Sequence, residues 1–142
     1  MNIFKYPVRL RAWLLEQKEK ETEAYEQINF IEWLEVKGLK FTSSASSTWT
    51  PSIMQKMKNK ALGLRSGFPD LVIYINKHQH YGGLPVLVFI EMKRKKLEKT
   101  PEGKASDEQM DWQACLDRVE NVGSYICVGC DEAIKKIEGL IN

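Results

Sequence analysis

Two short runs of strand-forming residues, Leu71-Val72-Ile73-Tyr74-Ile75 and Val86-Leu87-Val88-Phe89-Ile90, constrain this chain more than any other feature. β-Branched and aromatic residues dominate both runs, and turn-forming residues bound them. Residues 76–84, with the pair Gly82-Gly83, join the two as a hairpin loop. Strands joined in this way run antiparallel. A hairpin centred on the bond between His80 and Tyr81 sets Asp70 opposite Glu91, with their β-carbons about 5 Å apart. Two acids then meet at the open end of the hairpin. Lys93 lies two residues beyond Glu91 and shares its face, because side chains alternate along a strand.

Helical patterns flank this hairpin. Residues 8–20 are helix-prone, with Val8, Leu10, Trp13 and Leu14 apolar. Thr22 caps a second helix that runs to about Lys37 and stops at Gly38. Its apolar stripe reads Ala24, Ile28, Ile31 and Leu34, widened by Phe30 and Trp33. Leu39-Lys40-Phe41-Thr42 has the look of a short strand, and residues 43–50 form a polar, Ser/Thr-rich loop. Pro51 suits the first turn of a helix reaching about Leu62, and Gly63 and Gly67 bracket a turn. Residues 97–105 are polar and basic and read as a mobile linker. A helix from Asp107 to about Glu120 carries Trp112, Cys115, Leu116 and Val119 on one face, with Gly123 ending it. Tyr125-Ile126-Cys127-Val128 is a last strand and residues 131–140 a last helix. This order predicts an α/β fold with a mixed sheet, since the strand–helix–strand crossover favours a parallel pair beside the antiparallel hairpin.

A chain of 142 residues can bury one real core. We expect a single domain over residues 1–142, with residues 1–21 as a helical extension. No run approaches the roughly 18 apolar residues of a membrane span, and the N-terminus lacks the pattern of a secretory leader. An intracellular protein with no membrane partner is expected. Three cysteines, Cys115, Cys127 and Cys130, do not make a disulfide framework. Cys127-Val128-Gly129-Cys130 has the CxxC form, but zinc would want a second pair or more histidines than His78 and His80. Cys127 reads as the end of a buried strand and Cys130 as part of the next turn. Nothing calls for an organic cofactor.

The net charge of +2 does not by itself argue for a polyanionic partner. Its distribution says more. Lys56, Lys58, Lys60 and Arg65 form one basic cluster; Lys93, Arg94, Lys95, Lys96, Lys99 and Lys104 form another, and the acids gather between Glu16 and Glu35. Basic clusters on either side of a site suit phosphate contact, although each cluster alone reads equally as a solvated face. Lys56, Lys60, Arg65, Arg94 and Lys95 are the candidates.

Two apposed carboxylates repel unless one is protonated or a cation lies between them. Oxygen ligands with room for water suit Mg²⁺ or Mn²⁺. Lys93 beside such an ion could hold an attacking water or neutralise charge on a phosphate. The competing reading is a hairpin with exposed acids at its ends. Each residue alone fits that reading, but the joint pattern of Pro-Asp, an apolar strand and Glu-x-Lys is much rarer.

Pro69-Asp70 and Glu91-Met92-Lys93 resemble the signature of the PD-(D/E)xK nuclease superfamily. Gly67-Phe68-Pro69-Asp70-Leu71, followed by a helix with Gln109 and Trp112 and preceded by one with Glu23 and Gln27, is similar to the VRR-NUC family in particular. The resemblance runs from about Thr22 to Leu140. It implies a restriction-endonuclease-like core and hydrolysis of DNA phosphodiester bonds with Mg²⁺ or Mn²⁺. Asp70, Glu91 and the backbone carbonyl of Met92 would hold the metal, and Lys93 would be the catalytic lysine. Gln109 would position Lys93 or the water, with Glu23 as a further member. Small stand-alone members resemble homodimeric, structure-selective nucleases of branched DNA such as four-way junctions; multidomain relatives cut flaps. Small members are common in viruses and mobile elements. A catalytically silent module of the same fold, binding DNA junctions or ends, is the alternative.

Some residues carry two readings. Ser106-Asp107-Glu108-Gln109 is a capping box, in which Gln109 bonds back to the Ser106 backbone instead of serving a site. Glu23 lies four residues before Gln27, but Glu26 is as close in sequence, and either suits a solvated helix. His78 and His80 sit at the hairpin tip, far from Asp70, as a substrate-contacting or solvated loop. Trp49, in the loop of residues 43–50, could touch DNA at a branch point.

Overall fold

The computed structural model describes residues 1–44 and 52–142. Residues 45–51, with Trp49 and Pro51, lie outside the described residues, and so do the expectations attached to them. After a 3₁₀ turn at Ile3–Lys5 come helices α1 (Val8–Glu19) and α2 (Glu23–Val36), then strand β1 (Lys40–Ser43) and helix α3 (Ile53–Ala61). Strands β2 (Leu71–Ile75) and β3 (Val86–Lys93), helix α4 (Asp107–Leu116), strand β4 (Val122–Val128) and helix α5 (Cys130–Glu138) complete the chain.

The sheet is mixed, in the order β1-β2-β3-β4. β1, β2 and β3 pair antiparallel, and β4 returns parallel to β3 after the α4 crossover. Leu71 pairs with Ile90 and Ile75 with Val86, which is the register expected of a hairpin centred on His80–Tyr81. The hairpin tip is exposed at His78 and over residues 81–85, and it is also tied down: His80 bridges Ile141, and the Tyr81 N–H donates to the Leu140 carbonyl. His80 and His78 thus meet the C-terminal end of the chain, where the Asn142 side chain donates to the His78 carbonyl.

Alternation along the strands divides the sheet into two faces. On one face Leu71, Ile73, Ile75, Val88, Ile90, Met92 and Cys127 are wholly buried against Phe30 and Leu34 of α2 and Ala133 and Ile137 of α5. The other carries Leu87, Phe89, Glu91 and Lys93, with α4 packed against β4. The Ile137-bearing stripe of α5 follows the 3.6-residue period, so one face of the helix is dry and the other solvated.

The structure revises several expectations. In α2 the core line is Glu26, Phe30 and Leu34. Ile31 packs against the edge of that core, whereas Ala24 and Ile28 line a shallow pocket with Tyr6 and Trp13, because the helix packs on the sheet with one edge and meets the N-terminal region with the other. α4 ends at Leu116, and Cys115 and Val119 are exposed. Its inward stripe is Gln109, Trp112, Gln113 and Leu116, spaced i, i+3, i+4, i+7. Gly123 lies inside β4, which starts at Val122; the turn before it is made by Asn121 at φ +58°. Residues 97–105 fold back onto β3: Leu97 bridges Thr100, and the Gly103 N–H donates to the Arg94 carbonyl. Cys130 opens α5 rather than sitting in a turn. Burial pushes the Cys127 thiol up to about 12 and that of Cys130 up to about 11, so both are inert thiols. Among the described residues no helix is long and apolar enough to cross a membrane.

Candidate active site

Four elements converge at one end of the sheet. Asp70 immediately precedes β2, and Pro69 before it is buried. The Ser44 hydroxyl donates to the Pro69 carbonyl at 2.7 Å, and the Ser44 N–H donates to the Asp70 carbonyl at 2.8 Å. These bonds fix the backbone of Asp70 while its carboxylate turns to β3 and accepts from the Met92 N–H at 3.1 Å. Glu91 and Lys93 end β3 side by side; the Lys93 ammonium is 2.8 Å from Glu91 Oε1, and both side chains are buried. From the first turn of α2, Glu23 brings a third carboxylate. Ligand oxygens of Glu23, Asp70 and Glu91 all lie within 4.8 Å of one another.

The Met92 backbone faces the same cluster. The Lys93 carbonyl accepts from Gly129 on the β4 side. Carbonyls alternate along a strand, so those of Met92 and its neighbours two residues away point towards β2. The Met92 N–H bond to Asp70 agrees with this side.

Gln109 does two things at once. Its Oε1 accepts from the Ser106 N–H at 2.9 Å, completing the capping box with the Ser106 hydroxyl. Its Nε2 donates to Glu91 Oε1. The two readings of this residue are therefore compatible: an amide has a separate acceptor and donor, and the cap uses the first while the site uses the second. Gly67 makes this possible. It sits at φ +86°, and a β-carbon there would fall 2.6 Å from Glu108 Cβ and 2.7 Å from the Glu108 backbone carbon. Only glycine lets the turn before Asp70 approach the start of α4 so closely. Phe68 then sets its ring edge-on against Phe89 and Trp112, with centroids 5.6 and 5.0 Å away.

This is a frustrated electrostatic site. The Glu91 carboxyl is raised to about 7: burial is the largest cause, Asp70 and Glu23 add to it, and the hydrogen bond and charge of Lys93 oppose it. Burial likewise raises Asp70, against the Met92 N–H and Lys93. Burial raises Glu23, opposed by Lys93 and reinforced by Asp70. One lysine does not balance three carboxylates. Glu91 Oε1 is engaged by both Lys93 and Gln109, but Glu91 Oε2 is buried with no hydrogen-bond partner. A buried acceptor left open costs about 1–3 kcal/mol or more. A proton shared between Asp70 and Glu91, or a cation, would relieve it. Hard oxygen donors within 4.8 Å of one another could hold a divalent cation of the Mg²⁺ type.

The remaining sequence candidates are placed differently. Glu26 is buried but points away: its carboxylate accepts from the Cys130 N–H at 2.7 Å and pairs with Lys95 at 3.7 Å. Lys95 is also held by Asp131 at 3.2 Å, which sequence reasoning missed because the partners are distant in the chain. Arg94 donates to the Pro101 carbonyl. Lys56 and Lys60 are exposed on α3, and Arg65 donates to the Lys60 and Leu64 carbonyls at the end of that helix. Gln27 is half-buried beside the pocket of Tyr6 and Trp13.

A four-stranded mixed sheet that gathers three carboxylates and a lysine at one end is a restriction-endonuclease-like α/β fold. The profile of the VRR-NUC domain matches residues 8–130, and the chain belongs to that nuclease family. Its fold is similar to that of a solved "VRR_NUC domain protein", with a TM-score of 0.58 at 22% identity over 83% of this chain and 86% of that one. Among curated proteins, none matches.

Proposed function

We propose that the chain is a metal-dependent endonuclease that hydrolyses DNA phosphodiester bonds, selective for branched DNA such as four-way junctions or flaps, and that it acts as a homodimer. Its observation of greatest weight is the open, buried oxygen of Glu91 among Asp70, Glu23 and Lys93. Three converging carboxylates that share one lysine cost stability, and a phosphodiesterase has a use for them. Branched-DNA selectivity and the homodimer rest on the family resemblance.

In this reading Asp70, Glu91 and the Met92 carbonyl hold Mg²⁺ or Mn²⁺. The ion, when bound, would polarise the phosphate and lower the pKa of a nearby water. The protein's own residues do the rest. Lys93, buried against Glu91, presents an ammonium where charge develops on the phosphate. Gln109 holds Glu91 Oε1 from the other side, so Oε2 is the oxygen left to the metal. Glu23 orders the same space from α2. Lys56, Lys60, Arg65 and Arg94 offer cations to flanking phosphates; Lys95 would have to leave its carboxylate partners to join them.

The test is direct. Purified protein is incubated with a four-way junction, a flap and a linear duplex, each with Mg²⁺, Mn²⁺ or EDTA. Cutting should need the metal and should fall about 10³-fold in Asp70→Ala and Lys93→Ala. Cutting that survives both substitutions would overturn the site. Tight junction binding with no product under any metal would make the chain a binding module instead.

A further inference from the structure

α3 carries an apolar stripe that nothing in the described structure covers. α2 and α5 bury apolar residues against the sheet and α4 lays Trp112 and Leu116 towards it, but α3 is exposed along its whole length except for the half-buried Asn59. Ile53, Met54 and Met57 are 76%, 60% and 61% exposed. At 3.6 residues per turn, these three and Ala61 share one side of the helix. Gln55 and Asn59 lie opposite, bonded to each other at 2.8 Å, and Asn59 is the one residue of the helix that is half-buried. The apolar stripe thus faces solvent and no side of the helix is buried. Lys56 and Lys60 border one edge of that stripe, and Lys58 the other.

The charge around α3 is one-sided. Residues 36–69 contain six lysines and arginines and no Asp or Glu, in a chain with 19 acids. That acid-free stretch leads straight into Asp70. An apolar stripe by itself could cover a second copy of the chain. A symmetric contact through α3, however, would bring two lysine-rich edges together with no acid to balance them. A polyanion with apolar surfaces of its own satisfies both features: an anionic membrane surface is one, and nucleic acid with unstacked bases is the other, which the run of this acid-free stretch straight into Asp70 favours.

We infer that α3 is a branch-point wedge: Ile53, Met54 and Met57 rest on unstacked bases of the DNA while Lys56, Lys58 and Lys60 hold the phosphates on either side. This rests on the nuclease reading and names the part of the substrate that makes a branch recognisable. A continuous duplex stacks its bases and offers only the phosphates. A junction or flap offers both.

The wedge is tested by binding, without cleavage. Full-length protein in EDTA is titrated with a four-way junction carrying 2-aminopurine at the branch point, and with a linear duplex of the same composition. Wild type should raise the 2-aminopurine fluorescence and prefer the junction. Met54→Gln/Met57→Gln keeps helix-forming residues and all the lysines. It should lose the fluorescence rise and about ten-fold of the junction preference, with duplex affinity within about two-fold and Tm unchanged. Lys56→Gln/Lys58→Gln/Lys60→Gln should weaken both DNAs alike and lower the salt slope by about 2–3. Junction preference and fluorescence unchanged in the methionine variant would overturn the wedge. So would its sedimenting as a monomer where wild type is a dimer, because the stripe would then belong to a second copy. Wild type that binds neither DNA overturns the wedge and the nuclease reading together, whereas wedge behaviour without cutting in Mg²⁺ overturns the nuclease reading alone.

Discussion

Glu23 and Glu26 stand one turn apart on α2, and both carboxylates are turned into the protein, yet their surroundings are opposite. Glu26 is satisfied: the first N–H of α5 donates to it, and Lys95 reaches it across Gly129. A β-carbon on Gly129 would lie 2.2 Å from Lys95 Cε, so glycine there lets the lysine stem pass. Glu23 instead faces Asp70 and Glu91, with Lys93 as their shared cation. The contrast separates two uses of a buried acid. A paired one ties elements together, here α2 to the start of α5. An unpaired cluster costs stability and is kept where chemistry needs it.

That contrast can be broken from either side. The largest stability effect should come from Glu26→Ala, which leaves the Cys130 N–H and Lys95 without their acceptor; about 3 kcal/mol and on the order of 10 °C in Tm are expected. Cutting per folded molecule should stay within about two-fold. Glu23→Ala should do the reverse, lowering cutting while Tm holds or rises. If the two substitutions shift Tm equally, the clusters do not differ as described.

A second prediction concerns pH. Glu91 titrates near 7 when no metal is bound, above the ordinary carboxyl range, because it is buried beside two other acids. A carboxyl raised in the folded state favours folding while protonated, and that contribution is lost as pH rises through the folded value. Tm of the metal-free protein should therefore fall between about pH 5 and pH 8. Saturating Mg²⁺ should flatten the slope, since the cation takes the place of the proton, and so should Glu91→Gln. A slope untouched by both would place its origin elsewhere.

The smallest effects should separate the two bonds of Gln109. Ser106→Ala removes the hydroxyl of the cap but keeps the backbone N–H that orients the amide. It should cost about 1 kcal/mol and change cutting less than three-fold. Gln109→Ala loses both bonds and should cut activity by about ten-fold or more at a similar cost in stability. Equal losses of activity in the two variants would mean that the cap, not the bond to Glu91, is what matters.

Much of this was legible in the residues themselves. Local patterns are enough to place a hairpin: β-branched runs, a glycine pair between them and a symmetric loop bring Asp70 against Glu91 without any knowledge of the rest. Thr22 as a cap and Glu-x-Lys on one strand face are equally local, and so was the VRR-NUC resemblance that the family profile over residues 8–130 establishes. The true extents of α4 and β4 were not legible, because Gly123 signals a helix stop in sequence but serves as a strand residue under the Tyr125 ring. Nor was the core line of α2, since its apolar residues cover more than one side and neighbours decide which is dry.

By itself, then, the sequence determined the hairpin register, the acids and lysine at its open end, and the order of helices and strands, because each depends on side-chain period and turn chemistry within a few residues. Only the tertiary structure turned Glu23 rather than Glu26 towards Asp70 and Glu91, joined the cap bond of Gln109 with its bond to Glu91, paired Lys95 with Asp131, and left the apolar side of α3 exposed. Each of those outcomes depends on which distant element arrives as neighbour, and with it on where a buried charge finds a partner or is left without one.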